Sequence, residues 1–338
     1  MSALVAARAV RRSRARLVTI VLLGAVLVIA ALSLAVGAYS VSLPDLLATL
    51  AGQGNSKNEF IVLRLRLPRL TMAVLAGLAF ALAGALFQAL LGNPLASPDL
   101  IGITGGASVA AVFAILVLGL SGFAVSGFAF VGALVVASTI YLLSWRQGIA
   151  GYRFVLVGIG IAFMVQAALG YLLTRADVRD AQGALVWMVG SLSGTLWTEV
   201  AVAAISVGVL VPAVIVLAPK LRMLQLGDDT ARGLGVRVDL SRVLLLAVAV
   251  ALAAVATASV GPIAFVAFVA GPIARRLVPG TSLVPSALVG VLLVSTADFV
   301  SQHLLPGGVQ VPVGIITGAI GAPYLLWLLA TRRSRGEA

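Results

Sequence analysis

The sequence predicts an all-α polytopic membrane protein with about ten membrane-spanning helices. Of its 338 residues, 61% are hydrophobic and only 10% are charged. A soluble chain of this length needs a largely polar exterior and could not bury so much apolar surface in one core. The apolar residues also recur in runs of about 20, the length that an α-helix needs to cross a bilayer. The composition therefore excludes a soluble globular domain.

Ten apolar runs have the length of a spanning helix. In chain order, the predicted spans are Leu17–Tyr39, Leu70–Leu91, Ile101–Leu120, Phe123–Leu143, Phe154–Thr174, Glu199–Leu217, Val243–Ala258, Val260–Leu277, Leu283–Leu304 and Val313–Ala330. Two halves of five spans would insert in opposite orientations, as in inverted-repeat transporters.

A basic segment precedes the first span, as in a signal peptide. The span itself, however, is longer than the apolar region of about 7–15 residues that a signal peptide contains. We therefore expect a retained helix that starts in the cytoplasm. The chain then divides into a cytoplasmic basic N-terminal segment (residues 1–16), a transmembrane domain (17–330) and a cytoplasmic tail (331–338).

The distribution of Lys and Arg predicts the orientation. With the N-terminus inside, 17 basic residues fall in cytoplasmic connections and six fall outside. This asymmetry follows the positive-inside rule, so we expect both termini on the cytoplasmic side of a bacterial inner membrane. The net charge of +12 is scattered between apolar spans, which argues against a nucleic-acid partner and for contact with membrane lipid.

The second span and the segment after it depart from an ordinary membrane helix. The sequence NPLASPDLIGITGGA follows the span and runs straight into the next apolar stretch. Irregular backbone at membrane depth survives only where protein or a water-filled cavity surrounds it. We therefore take this region as a wall of a transport pathway, although the default interpretation of Gln88 and Gln166, as single polar residues in apolar spans, is interhelical hydrogen bonding. The candidate pathway residues are Gln88, Asn93, Pro94, Gly102, Gly105, Gly106 and Gln166.

Several kinds of chemistry have no residues to support them. The chain has no cysteine and one histidine, His303, so we expect no metal site of its own. Neither of its two lysines, Lys57 and Lys220, follows the glycine pattern of a phosphate-binding loop. We expect no catalytic residues and no cofactor, and any ATP should be bound and hydrolysed by another subunit.

The longest polar cytoplasmic connection, residues 221–242, contains the sequence LGDDTARGLGV. Asp228 or Asp229 can cap a short helix, and Gly233 or Gly235 can end it in a left-handed conformation. A helix of one or two turns is too short to be stable alone. The segment is either a solvated loop or a docking element for a cytoplasmic partner.

Three charged residues allow two interpretations each. Arg66 and Arg69, at the outer start of the second span, either anchor to lipid headgroups or form a basic rim that pairs with an acidic extracytoplasmic protein. Asp298, inside the ninth span, is either a proton relay or a structural partner near a helix end. A single carboxylate makes a poor relay, which favours the structural role.

Seven stretches together resemble the permease subunits of FecCD-type ABC importers, which carry ferric siderophores, haem and vitamin B12. They cover nearly the whole chain in the family's order, which makes the resemblance specific for the family but not for the substrate. The stretches are RLPR (Arg66–Arg69), GNPLASPDLIGITGGA (Gly92–Ala107), WMVGSLSG (Trp187–Gly194), LGDDTARGLGV (Leu226–Val236), GPIAFVAFVAGPIARRL (Gly261–Leu277), STAD (Ser295–Asp298) and VPVGIITGAIGAPYLLWLL (Val311–Leu329).

The resemblance implies a type II importer fold of ten helices per subunit. It also implies a second permease subunit, two cytoplasmic ATP-binding subunits and an extracytoplasmic substrate-binding protein. By resemblance, Arg66 and Arg69 would pair with glutamates of the binding protein. The coupling residues that seat on the ATPase would be Gly227, Asp228, Asp229, Ala231, Arg232, Gly233, Leu234 and Gly235.

The chain departs from the family pattern at two places. Members usually have P-H-x-x-R in the eighth span, whereas this chain has Gly271, Pro272 and then Arg275, without the histidine. Members commonly place an arginine four residues after the ninth-span aspartate, where this chain has Gln302. Both changes favour a partner permease that is not identical to this one.

We therefore expect a permease that forms half of the pathway of an ATP-driven importer for ferric siderophores. Haem or a corrinoid is the alternative substrate within the same family. A proton-coupled secondary transporter and a non-transporting membrane scaffold are the competing classes of function.

Overall fold

The computed structural model describes residues 2–145, 151–278, 280, 283–306 and 309–333, without side chains for 2–12, 151–152, 329 and 331–333. The described chain is almost entirely helical. Its α-helices are α1 (Ser2–Ala35), α2 (Leu43–Leu50), α3 (Ser56–Glu59), α4 (Leu67–Leu90), α5 (Ile103–Leu116), α6 (Phe123–Ser144), α7 (Gly151–Arg175), α8 (Val178–Val189), α9 (Trp197–Leu224), α10 (Asp228–Gly233), α11 (Val238–Val260), α12 (Val266–Leu277), α13 (Leu283–His303) and α14 (Val313–Arg333).

Each of the ten predicted spans overlaps a different long or medium helix of this set, which confirms the all-α polytopic fold. Seven helices of the described chain are long and apolar enough to cross a bilayer, while the apolar helices Ile103–Leu116 and Val313–Leu328 are shorter. α12 has twelve residues and rises only about 18 Å. Both α5 and α12 pack inside the bundle, so neither has to cover the hydrocarbon thickness alone.

Some predicted boundaries are wrong. The first helix begins at Ser2, well before the predicted Leu17, and ends at Ala35. The eighth starts at Val266, because Gly261 adopts a positive φ of 74° and Pro262 supplies no N–H. A π-helix over Phe60–Arg66 leads directly into α4, so Pro68 lies in the first turn of a continuing helix.

The helix α4 forms the centre of the bundle. It packs against α9, α11, α12 and α13, and most of its residues are buried. Two of its glycines make this packing possible. A methyl group on Gly84 would overlap the carbonyl oxygen of Ala267 in α12, and one on Gly77 would lie 2.6 Å from the carbonyl oxygen of Gly290 in α13. Small residues that let helix backbones approach closely are the usual basis of packing between membrane helices.

The bundle has two ends, which we name by the residues found there. The Arg69 end holds the start of α4, the end of α13 and the end of α11. The α10 end holds α10 itself, the start of α1 and the end of α12. Hydrogen bonds fix this arrangement: the ring N–H of Trp197, at the start of α9, donates to the carbonyl of Leu63 (2.8 Å), and Arg14 donates to the carbonyl of Leu277 (3.0 Å).

Candidate functional site at the two ends of the bundle

A buried ion pair joins α4 to α13 at the Arg69 end. Arg69 donates through Nη2 to Asp298 Oδ1 (2.8 Å) and through Nε to both carboxylate oxygens (3.1 Å each). Gln302, one turn further along α13, donates to Asp298 Oδ2 (2.7 Å). The side chains of Arg69 and Asp298 are 18% and 6% exposed. The carboxylate is thus satisfied within the subunit, which supports the structural interpretation of Asp298 over a proton relay.

Arg66 is held by backbone groups rather than by a carboxylate. Its guanidinium donates to the carbonyl oxygen of Leu34 (2.7 Å), near the end of α1, and to that of Tyr39. A cation on the last carbonyls of a helix also complements the helix dipole. Both arginines of the RLPR stretch therefore have partners inside the subunit and keep only part of their surface for another protein.

Three backbone segments that are distant in sequence meet beside this ion pair. The backbone N–H of Ser191 donates to the carbonyl oxygen of Val260 (2.8 Å), and that of Gly314 donates to the carbonyl oxygen of Gly190 (3.3 Å). Gly190 itself has a φ of 79°, and a methyl group on it would lie 2.8 Å from the carbonyl of Pro262. The stretches WMVGSLSG, GPIAFVAFVAGPIARRL and VPVGIITGAIGAPYLLWLL thus contribute to one compact structure at the Arg69 end.

The segment predicted to couple with an ATPase forms the short helix α10 between α9 and α11. Ala231 is fully buried against the bundle, and Asp228 accepts a hydrogen bond from Arg242 at 2.8 Å. Asp229 and Arg232 pair with each other on the outer surface at 3.1 Å.

The rest of α10 and its flanks point outward. Gly227, Gly233, Leu234 and Gly235 are exposed, and Leu234 presents 57% of its surface. Gly227 and Gly235 have φ values of 98° and 81°, which β-carbon-bearing residues rarely adopt, so the glycines permit the turns on both sides. The geometry gives a rigidly seated helix with an exposed apolar side chain.

The predicted pathway residue Gln88 lies buried between α4 and α12. Its amide nitrogen donates to the carbonyl of Phe268 (2.9 Å), and its oxygen accepts from Arg275 Nη2 (2.7 Å). The side chain is 3% exposed. Gln88 therefore makes the interhelical hydrogen bonds that were its alternative interpretation, and within the subunit it does not face an open channel.

The glycines at the start of α5 lie in contacts between helices. Gly102 and Gly105 approach α7, where added methyl groups would meet Ala162 and Val165 at about 3 Å. Gly106 approaches α6, and a methyl group there would lie 2.8 Å from the carbonyl of Gly132. Their described neighbours indicate packing positions, and a role at the pathway stays a prediction.

The remaining pathway candidates are on the surface. Asn93 is exposed in the connection between α4 and α5, where its Oδ1 accepts the N–H of Leu95 (2.9 Å), and Pro94 is half-buried beside it. Gln166 is exposed on α7 next to Met164 and Ala167. These residues can line a pathway only together with a second subunit.

The same connection contains a buried carboxylate that the sequence patterns do not single out. Oδ2 of Asp99 is inaccessible to solvent and has no hydrogen-bond partner among the described residues. Burial raises the pKa of Asp99 to about 6, against the opposing effect of a hydrogen bond with Thr104. A lone Asp in a Pro-rich segment gives no sequence signal of burial.

The Arg69–Asp298 pair was also missed from sequence. Asp298 within an apolar span was a signal that this carboxylate needs a partner, but nothing in the sequence points to Arg69, which precedes another span and lies 229 positions away.

Comparisons with known proteins agree with this architecture. The sequence matches the family described as the FecCD transport family over residues 12–331. It is 39% identical to the ferric enterobactin transport system permease protein FepG of Escherichia coli (strain K12), covering 94% of this chain and 97% of that protein. It is 38% identical to the Fe(3+)-citrate import system permease protein YfmE of Bacillus subtilis (strain 168), covering 94% and 96%.

The fold also matches a solved structure. A transporter described as metal-chelate type and ABC, in an inward-facing conformation, superposes with a TM-score of 0.81. The match covers 93% of this chain and 98% of that chain at 24% sequence identity. At this sequence identity, the structural match is evidence for the fold alone.

Proposed function

Because the chain belongs to the FecCD transport family, as a multi-pass membrane permease, we propose that it forms half of the translocation pathway of an ATP-driven importer of ferric siderophores. The observation that carries the proposal is α10, a short helix that the Asp228–Arg242 ion pair fixes to the bundle and that exposes Leu234. A membrane bundle needs no such projection for its own stability. A helix of this kind is suited to transmit motion from a partner.

The proposed substrate class follows from the relatives. The two proteins compared above are described as transport systems for ferric enterobactin and for Fe(3+)-citrate. Both of these substrates are chelates of ferric iron. The candidate pathway surface on α7 is composed of small, apolar and amide side chains around Gln166. Such a surface suits a bulky chelate that must pass without being held by charges. Haem or a corrinoid is the substrate if ferric siderophores fail.

We place two ATP-binding subunits at the α10 end and a substrate-binding protein at the Arg69 end, with both chain termini in the cytoplasm. The chain has no phosphate-binding loop, so ATP hydrolysis belongs to the separate subunits. ATP-driven closure of these subunits would push on α10. Because α4 is packed on α9, α11, α12 and α13, the push would tilt the bundle as a unit and alternate access between its ends.

We propose that the second permease is a different protein. The position where family members commonly have a docking arginine holds Gln302, whose amide is used to satisfy Asp298. A partner with the arginine would supply the missing cation at its own half of the docking face. A purified transporter that contains only this permease would contradict the proposal.

Proton-coupled transport would require a titratable residue that is free to bind and release protons in the membrane. The Asp298 carboxylate instead accepts hydrogen bonds from Arg69 and Gln302, so it is not free to exchange protons along a pathway. No described contact favours this mechanism over the ATP-driven one.

Uptake of radiolabelled ferric siderophore tests the proposal. Cells lacking the gene are complemented with the wild-type permease, with and without an inactivated partner ATPase. Uptake that returns only with a competent ATPase is expected. Uptake that ignores the ATPase but collapses with a protonophore would contradict the mechanism, and rescue of haem or corrinoid uptake alone would replace the substrate.

A further inference from the structure

The short helix α2 lies beside the end of α1, at the Arg69 end of the bundle. The backbone N–H of Val41 donates to the carbonyl oxygen of Ala35 (2.9 Å), so the connection after α1 closes on the last turn of that helix. Leu46 of α2 then joins Leu34 of α1 and Val62 of the π-helix in one buried cluster. Because this cluster includes the last turn of α1, α2 is held at the depth where α1 ends.

The end of α1 marks one boundary of the hydrocarbon. The apolar part of this helix, Ser13–Ala35, has 23 residues. It rises about 35 Å, slightly more than the hydrocarbon thickness of about 30 Å. Trp197, whose ring N–H donates to the carbonyl of Leu63 in the π-helix, is exposed at the same end of the bundle. Trp side chains are enriched where hydrocarbon meets the headgroup layer. Both observations place α2 at the membrane–water interface.

One face of α2 exposes three leucines. Leu43, Leu47 and Leu50 are 59%, 61% and 46% exposed, and we call them the leucine row. Their spacing of four and three residues places them on one face of the helix. The buried side chains of Leu46 and Thr49 hold α2 against the bundle by another face. The packing of the subunit therefore leaves the leucine row uncovered.

The position of α2 is peripheral. It packs on α1, α3 and the π-helix, and α1 in turn packs mainly on α13. Most of the apolar part of α1 is not buried, and Leu27, Val28 and Leu32 are among its exposed side chains. A helix attached to the edge of a membrane bundle, at the depth of the interface, borders the lipid.

Lipid fits the leucine row better than a soluble protein does. The proposed substrate-binding protein docks and leaves, so the leucines would face water each time it left. Contiguous apolar surface is uncommon on water-exposed faces, and interfaces that separate are about as polar as the rest of a protein surface. The ammonium of Lys57 lies 3.8 Å from the centroid of the Tyr39 ring, next to α2 in sequence. An apolar helix face with aromatic and basic neighbours is typical of helices that lie in the membrane interface.

We propose that α2 is an interfacial helix whose leucine row inserts among the upper acyl chains of the leaflet on the Arg69 side. Helices of this kind bury their apolar face about 5–10 Å into the boundary between headgroups and acyl chains. Insertion would also fix the height of Arg66, because its guanidinium donates to the carbonyls of Leu34 and Tyr39, which flank the end of α1. This inference concerns the membrane and depends neither on the chelate nor on the ATP-binding subunits.

Fluorescence quenching in the assembled transporter, reconstituted in phosphatidylcholine nanodiscs, tests the proposal. The chain has no cysteine, so a single introduced cysteine carries the only label on this subunit, and labelling of the wild-type transporter measures the background from the other subunits. Bimane on Leu47→Cys or Leu43→Cys should be quenched by phosphatidylcholine that carries a nitroxide in the upper part of its acyl chain. Aqueous iodide should quench both probes at least about threefold less than a probe on the water-facing side of α2.

Asp45→Cys supplies that water-facing control. Asp45 is exposed and lies two residues from both Leu43 and Leu47, which places it on the opposite side of the helix. Its backbone N–H, which the hydroxyl of Ser42 caps, is kept in the variant. Iodide should quench this probe, and the lipid nitroxide should have little effect on it.

Three results would overturn the proposal. Iodide quenching of the two leucine-row probes at the level of the control, without quenching by lipid, would place the row in water. Protection from both quenchers would show that another subunit covers it. Protection from iodide that arises only when the substrate-binding protein is added would make the row a protein-docking surface. A melting curve of each labelled variant checks folding, and the second leucine position keeps the test valid if one variant is unstable.

Discussion

At the Arg69 end, one carboxylate inside an apolar span accepts hydrogen bonds from a guanidinium and from an amide. Taking two such charges out of water is costly, and the pair is tolerated because the geometry satisfies both Asp298 oxygens. The cost reappears when one partner is removed, since the other is then left buried and charged. The two residues therefore act as one unit in any mutational experiment.

Arg69→Ala should destabilise the protein by about 3–5 kcal/mol, since it leaves Asp298 charged and buried. The double variant Arg69→Met/Asp298→Leu removes both charges and should recover most of that loss. Thermal unfolding in detergent measures both effects. A single variant as stable as wild type would show that the ion pair contributes nothing to the fold.

Asp99 provides a pH-dependent contribution to stability. Its folded pKa of about 6 lies above the ordinary 3.8, so the folded state binds the proton more tightly than the unfolded state. The stabilisation by the bound proton is therefore complete below about pH 4 and is lost as the pH rises through 6.

Asp99→Asn removes this titration. The variant should gain stability over wild type at pH 7.5, by up to about 3 kcal/mol, and the gain should shrink toward pH 4. Thermal unfolding at a series of pH values measures the difference. A difference that does not change with pH would contradict a raised pKa in the folded protein.

Among the elements, α4 owes its central position to its small residues. Its backbone approaches α12 and α13 closely at Gly84 and Gly77. Helices in a bilayer gain little from the hydrophobic effect when they meet, so such close packing supplies much of their association.

Gly84→Ala should therefore destabilise the bundle, by about 1–3 kcal/mol, because the new methyl group would overlap the backbone of Ala267. Gly208→Ala in α9 is the matched control, since no atom lies within 4 Å of its new methyl group. The control should be neutral or gain up to about 1 kcal/mol from helix propensity. Equal effects of the two substitutions in thermal unfolding would refute the packing argument.

In its proposed coupling role, α10 presents one exposed side to the ATP-binding subunits. Leu234→Asn should weaken association of the ATP-binding subunits roughly tenfold, because an exposed apolar anchor at the centre of an interface contributes strongly to binding. Co-purification of the ATPase subunits with the permease measures it. Leu196→Asn changes a similarly exposed leucine at the opposite end and should have no effect. A loss in both variants would indicate a folding defect instead.

For the whole molecule, we propose that the substrate-binding protein docks at the Arg69 end of the bundle and that the ATP-binding subunits bind at the α10 end. The docking role of Arg66 and Arg69 has to be tested without disturbing the Asp298 pair. Charge reversal of both arginines would place a second carboxylate beside Asp298 and would confuse docking with stability.

Arg66→Glu alone leaves that pair intact and should weaken binding of the substrate-binding protein at least about tenfold, because the like charges would then repel. Arg179→Glu makes the same charge change at an exposed position on α8 and is the control. Affinities of the detergent-purified transporter for its binding protein give the comparison. Normal affinity of the first variant would remove Arg66 from the docking face.

The sequence alone determined the fold class, the presence of a helix in each predicted span and the family, but not all of the helix boundaries. These follow from local properties of the sequence. A run of about 20 apolar residues has few alternatives to a membrane helix, and the family can be recognised from the order of the motifs without knowing which motifs are in contact. The polar segment that forms α10 was recognised in the same way, since a polar loop between long apolar spans stands out by composition, and its coupling role stays a prediction.

Only the tertiary structure decided which residues act together. The partner of Asp298 could be identified only once α4 and α13 were known to be neighbours. Gln88 was predicted to line the pathway, but in the structure its side chain accepts a hydrogen bond from Arg275 inside the subunit. At the Arg69 end, the backbone hydrogen bonds from Ser191 to Val260 and from Gly314 to Gly190 also join segments far apart in sequence. Helix packing fixes such pairs through shape and close backbone approach, and neither property can be recognised in one segment without its neighbour.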